Sequence, residues 1–252
     1  MNIHQIIFSP TGGTQRVSNL LCQAIGTVSE VTDLCVTTAD LRLPKINKAD
    51  LAVIAMPVFA GRVPALAVER LRKVDAQGAK CVVVAVFGNR AFDDALLELR
   101  DVALEMGFRV IAAVAAVAEH SIIRRYGKGR PDDLDAQELR QFASAILRKA
   151  EADPCTVPQV PGNSPYKQGG KVPHPKGRRG CNGCGICAKA CPAEAISLSH
   201  PKKVDTAKCI SCMRCVMVCP TGARSIGAVM NFLATQGLKK VCATRKENEL
   251  YV

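Results

Sequence analysis

The chain of 252 residues carries 34 Lys and Arg against 22 Asp and Glu, and its 48% hydrophobic content can fill the cores of two modest domains. No apolar run approaches a membrane span, the longest covering residues 110–118, and residues 1–8 lack the basic start and long apolar core of a secretion signal. These features predict a cytoplasmic protein with reduced thiols and no membrane span. The charge is uneven, with 15 Lys and Arg against 4 Asp and Glu in residues 154–252. A basic surface suits nucleic acid, an anionic membrane or an acidic protein, or it balances bound anionic groups. Only Tyr166, Phe232 and Tyr251 offer aromatic platforms in that part, so no nucleic acid is expected and an acidic protein partner is favoured.

Five apolar runs rich in β-branched residues span 3–8, 28–34, 51–55, 81–87 and 110–117, and amphipathic stretches cover 14–25, 64–74, 92–106 and 133–152. This alternation predicts an α/β domain over residues 1–153, a doubly wound five-stranded parallel sheet with helices on both faces. The ligand of such a domain binds at the carboxyl ends of the strands.

The first loop at that edge reads Ser9-Pro10-Thr11-Gly12-Gly13-Thr14 and opens the first helix. Hydroxyls and glycine amides there cradle a terminal phosphate, although the same residue types also serve as ordinary helix caps. No Lys follows Gly13 as in a Walker loop, and no G-x-G-x-x-G follows the first strand. The pattern S/T-x-T-G-x-T resembles the phosphate loop of flavodoxins. Two further loops resemble those that flank the flavin in that family: Met56-Pro57-Val58-Phe59-Ala60-Gly61-Arg62-Val63-Pro64, and Gly88-Asn89-Arg90-Ala91-Phe92-Asp93-Asp94. The resemblance implies FMN, its phosphate held by Ser9, Thr11, Gly12, Gly13 and Thr14. Its ring would lie among Pro57, Val58, Phe59, Ala60, Gly61, Gly88, Asn89, Arg90 and Phe92.

The chain departs from flavodoxins in having no Trp, which leaves Phe59, Phe87 and Phe92 to stack on the ring or to pack in the core. Arg62 and Arg90 are candidate cations for the reduced flavin, or plain surface charges. Beyond the fifth strand, Glu119-His120-Ser121 returns to the ligand edge. Glu119, His120 and Arg90 are the candidates for proton donation and anion stabilisation, with a simple polar loop as the alternative. Arg124, Arg125, Lys128 and Arg130 follow with Tyr126, to rim a docking site or to solvate the loop.

Residues 154–175 contain six prolines and three glycines and read as an extended linker. Next come Cys181, Cys184, Cys187 and Cys191, spaced C-x2-C-x2-C-x3-C and closed by Pro192. Cys209, Cys212, Cys215 and Cys219 repeat the run 28 positions later, closed by Pro220. Structural zinc would leave the third cysteine and the proline of each run without a role, and disulfides do not suit a reducing compartment. Residues 176–228 resemble the bacterial two-cluster ferredoxins, a small α+β domain. That resemblance implies two [4Fe–4S] clusters, one on Cys181, Cys184, Cys187 and Cys219, the other on Cys209, Cys212, Cys215 and Cys191. Of the remaining cysteines, Cys22, Cys35 and Cys81 fall in apolar segments, whereas Cys155 and Cys242 are isolated. Residues 229–252 form a C-terminal extension, helical near its start, that is expected to dock back on one domain.

The order of FMN loops and then a double cysteine run resembles the single-chain flavodoxin–ferredoxin fusion family of anaerobes. It implies a low-potential electron-transfer protein that passes electrons between two [4Fe–4S] clusters and FMN and on to an acidic redox partner protein. The alternative is a ferredoxin-fed flavin-dependent reductase of a small electrophile such as a quinone, tetrapyrrole or corrinoid.

Overall fold

The computed structural model describes residues 2–151, 156–170 and 172–252. Cys155 lies outside the described residues. Strands β1 (Ile3–Ile7), β3 (Leu51–Pro57), β4 (Lys80–Phe87) and β5 (Arg109–Val117) are buried along nearly their whole length, as continuous apolar runs require in a sheet covered on both faces. Strand β2 (Val28–Asp33) is mostly exposed at one edge. The order is β2-β1-β3-β4-β5, all parallel, which is the flavodoxin-like doubly wound arrangement.

Two apolar layers sandwich the sheet. On one face α1 (Gly13–Ile25) and α4 (Asp133–Glu151) deliver Val17, Leu21, Leu139 and Ile146 at helical spacing. On the other, α2 (Ala65–Leu71) and α3 (Ala95–Glu105) deliver Ala67, Leu71, Leu96 and Leu99. Helix α3 starts three residues later than its pattern predicts, because Asp93 adopts a left-handed φ of 45° in the preceding turn.

The linker follows the surface without helix or strand in its described residues up to residue 175. Asp94 fastens it, accepting hydrogen bonds from the Asn163 amide at 2.8 Å and the Lys167 amide at 2.7 Å. Tyr166 donates to Asp101 at 2.7 Å.

The cysteine-rich half has little regular structure: β6 (Lys176–Gly177) pairs antiparallel with β7 (Arg224–Ser225), and α5 (Ile186–Lys189) and α6 (Arg214–Met217) each follow the second cysteine of a run. The sequence repeat is also a conformational one. Gly183, Gly185 and Glu194 have positive φ, and so do Ser211, Met213 and Gly222, each 28 positions on. Glycine takes this conformation freely, whereas Ser211 and Met213 hold it under strain. Beyond, α7 (Ala228–Leu238) exposes Val229 and Phe232, and Thr235 in it accepts a hydrogen bond from the Tyr126 hydroxyl at 2.7 Å.

The tail then adds an antiparallel strand β8 (Glu249–Tyr251) to β5, so the sheet has six strands where the sequence predicts five. Asn248 anchors it, accepting from the Val117 amide at 2.8 Å and donating to the buried Asp135 at 2.9 Å. The addition covers an edge that would otherwise present unpaired backbone groups. Arg70 of α2 joins the two halves. Fully buried, it donates to the carbonyls of Leu34 at 2.6 Å and Val36 at 2.7 Å and to that of Pro192, beside Cys191, at 2.7 Å. Among the described residues, no helix is long and apolar enough to cross a membrane.

Candidate functional site

The strand order reverses between β1 and β3, and the first loop opens into that switch point. Gly12 takes φ 84° at the start of α1, and no side chain caps the helix from that position. The first amides of a helix so started are available to an anion, with the dipole behind them. The Ser9 hydroxyl accepts from the Gln15 amide at 2.9 Å and keeps its own proton to donate. A small cavity in front of the loop is lined by Thr11, Gly13, Thr14, Pro57, Phe59 and Gly88. Side-chain hydroxyls and helix amides of this kind suit a phosphomonoester. Glu119 also borders the cavity, where its carboxylate is neutralised by Arg124 at 2.5 Å.

Beside it lies an apolar cleft of about 290 Å³ between the loops after β3 and β4. Val58, Phe59, Ala60, Gly61, Gly88 and Arg90 form one side. Gly88 is tied to its place by His120: a Cβ there would stand 2.8 Å from the imidazole. The opposite wall comes from the cysteine-rich half and its flanks, with Ile210 and Ser211 from between Cys209 and Cys212, and Ala234 and Leu238 from α7. An apolar slot with a few polar groups suits a planar isoalloxazine ring.

The candidate ring residues divide by what else they do. Phe92 is buried against Phe87, ring centroids 5.6 Å apart, and is not among the residues lining either cavity. Asn89, at φ 60°, spends its side chain on the tail, donating to the carbonyls of Cys242 at 3.1 Å and Thr244 at 2.9 Å and accepting from the Lys246 amide at 3.0 Å. Arg62 turns to Glu98 with both hydrogen bonds at 2.7 Å and lies over the Tyr166 ring. Arg90 pairs with Asp93 while lining the cleft. His120 Nδ1 accepts from the amides of Ile122 at 3.1 Å and Ile123 at 3.2 Å. Burial and then the Arg90 charge bring the His120 pKa down to about 4, so the ring is neutral near pH 7 with its remaining proton on Nε2.

The eight run cysteines fall into two environments. Cys191, Cys209, Cys212 and Cys215 surround one small cavity together with Ile196, Ile210 and Met213. Four thiols from two runs thus face one apolar chamber, a donor set that suits a cubane. Burial pushes the Cys212 thiol up to about 12 and the Cys215 thiol up to about 11, with Arg224 opposing the rise at Cys215. Binding iron would remove those protons. In the other set Cys187 is buried, Cys181 and Cys219 are half-buried, and Cys184 is exposed. Burial alone would raise Cys219, but hydrogen bonds from the Thr221 hydroxyl and the amides of Thr221, Ala223 and Arg224 outweigh it and hold the thiol below its usual value. Among the described residues, no group of His, Cys, Asp and Glu closes around a single metal ion.

Sequence patterns alone did not point to Ile210, Ser211 and α7 in the apolar cleft, nor to Arg70 and Arg224 beside the cysteines. Of the unassigned cysteines, Cys22, Cys35, Cys81 and Cys242 are buried. Cys35 lies near Cys212, close enough for their charges to interact.

A flavodoxin-like parallel sheet is joined in one chain to a doubled cysteine run. Residues 180–228 match the family of 4Fe-4S dicluster domains. Among solved structures the chain is similar to a flavodoxin from the domain Archaea, at 17% identity and a TM-score of 0.44, over 60% of this chain and 100% of that one. It is also similar to the flavodoxin of Megasphaera elsdenii (17% identity, TM-score 0.39, 57% of this chain and 98% of that one). Flavodoxin 1 of Bacillus cereus matches at 14% identity and a TM-score of 0.41, over 59% of this chain and 98% of that one. A search of curated proteins gave no match. The fold assignment rests on strand order and register, and the cysteine-rich segment supports a role in electron transfer.

Proposed function

We propose that this protein is a low-potential electron carrier that passes electrons between two [4Fe–4S] clusters and FMN and on to an acidic partner protein. When bound, FMN takes up one or two electrons and each cubane one. The observation that carries the proposal is the shared cleft: Ile210 and Ser211, held between Cys209 and Cys212, form a wall opposite Phe59 and Gly88. Cys209, Cys212, Cys215 and Cys191 would hold the cluster on the flavin side. Cys181, Cys184, Cys187 and Cys219 would hold the other, nearer solvent at the exposed Cys184.

Ser9, Thr11, Gly13 and Thr14 would bind the phosphate, and Val58, Phe59, Gly61 and Gly88 would orient the ring. Arg70 ties the sheet half to Pro192, and Asp94 ties it to the linker. The excess of basic residues in 154–252 favours an acidic partner, with attraction that weakens as salt rises.

The test is anaerobic reconstitution with flavin and iron counted on one sample. One FMN and about eight irons per chain, the content of two cubanes, with both cofactor types reduced by one low-potential donor, is the expected result. Clusters without flavin would refute the FMN assignment.

A further inference from the structure

The 28-residue repeat breaks at one buried position: Ile196 follows Cys191 by five residues, and its repeat mate after Cys219 is Arg224. Ile196 is an apolar wall of the chamber formed by Cys191, Cys209, Cys212 and Cys215. Arg224 is only 3% exposed. Among the described residues it meets no carboxylate. Its Nη1 donates to the Pro201 carbonyl at 2.5 Å and to Cys187 Sγ at 3.5 Å, and Nη2 donates to the Pro175 carbonyl at 3.4 Å. Its Nε is buried with no partner.

A guanidinium buried without an anion is strongly disfavoured, because carbonyls satisfy its protons but not its charge. Two thiolate-bound cubanes would supply that anion, since oxidised [4Fe–4S] clusters with four thiolates carry about −2 each and gain one more negative charge on reduction. A cation donating to a ligand sulfur favours the reduced state, by hydrogen bonding and by Coulomb attraction. Arg70, equally buried, bonds only carbonyls, and the half-buried Arg214 hydrogen-bonds Cys212 through its backbone amide; what marks Arg224 is a guanidinium that donates to a run-cysteine sulfur.

We propose that Arg224 is the counter-charge of the cluster pair: through Cys187 Sγ it raises the reduction potential of the cluster that Cys187 ligates and separates it from that of its neighbour. Arg224 also acts on Cys215 by charge and hydrogen bonding and on Cys209 by charge, so the neighbouring cluster responds in the same direction. In the reaction concerned, a one-electron donor such as dithionite adds an electron to a cluster, with no bond made or broken. The inference rests on the assignment of the run cysteines to two cubanes.

The experiment is a mediated redox titration followed by EPR on reconstituted wild type, Arg224→Ile and Arg224→Lys. Arg224→Ile makes the repeat symmetric, and Arg224→Lys keeps the charge. Two clusters in wild type, with both waves of Arg224→Ile moved negative and the gap between them changed, is the expected result. Arg224→Lys should lie near wild type. If Arg224→Ile holds no iron, Arg224→Lys with full iron and near-wild-type potentials supports the proposal; loss of iron in both makes Arg224 structural and overturns it. Full iron in Arg224→Ile with unmoved waves also overturns it and leaves the two-cluster reading intact. Wild type with fewer than two cubanes refutes that reading itself.

Discussion

The two halves of this chain reach a defined structure by different routes. The sheet half buries continuous strands such as β3 and β4 between two apolar layers and needs nothing but its own side chains. The cysteine-rich half has a two-stranded sheet with two residues in each strand and two helices of four residues. Its buried cluster consists largely of cysteines, small alanines and Ile196. So small a core cannot offset the entropy of ordering its loops, so bound metal has to supply the difference.

The largest break in this comparison comes from removing ligands. Cys212→Ala together with Cys215→Ala should cost the flavin-side cluster, and hydrogen exchange should show residues 176–226 opening while β3 and β4 stay protected. Equal protection of both halves without iron would show that the second half folds alone. Ile54→Ala does the reverse: it should destabilise the sheet half by about 2–5 kcal/mol through cavity formation, read by denaturant unfolding of that half, with iron content unchanged.

Arg70→Met probes the joint. It strands the carbonyls of Leu34, Val36 and Pro192, at about 1–3 kcal/mol for each that finds no new partner. Proteolysis within residues 156–170 should accelerate while each half keeps its cofactors. Asn248→Ala removes two anchors of β8 and should cost about 1–2 kcal/mol, seen as faster amide exchange in residues 249–251 with β5 little changed.

The smallest effect concerns His120. Its folded pKa of about 4 lies below the ordinary value of 6.5, so the unfolded chain binds the extra proton between those values. This group therefore lowers stability as pH falls from about 6.5 towards 4 and contributes nothing above that window. Its NMR signal should show no protonation between pH 6 and 8.

The same contrast explains what the sequence revealed. Strands β1, β3, β4 and β5 were readable within about two residues because burial on both faces selects long β-branched runs. The cysteine spacing was readable because the ligand loop repeats by position. Strand β8 was not: three residues, Glu249–Tyr251, carry no periodicity, and their pairing depends on Asn248 and Asp135, far apart in sequence. The cleft was only partly legible. The motif marks Gly88 and Phe59, but whether Asn89, Arg62 and Phe92 face the cleft depends on Lys246, Glu98 and Phe87, which no local pattern couples to them. Ile210 and Ser211 line the cleft from the far half of the chain, brought there by contacts distant in sequence such as Arg70 with Pro192 and Asp94 with the linker.

In the proposed function, Cys191, Cys209, Cys212 and Cys215 hold a cluster that serves the flavin. Anaerobic stopped-flow reduction by a low-potential one-electron donor, with flavin and cluster absorbance followed together, tests it in wild type and in Cys212→Ser. Flavin reduction in wild type should keep pace with cluster reduction and slow at least tenfold in a Cys212→Ser protein that retains FMN and the other cluster. Flavin reduction at the wild-type rate in that variant would contradict it.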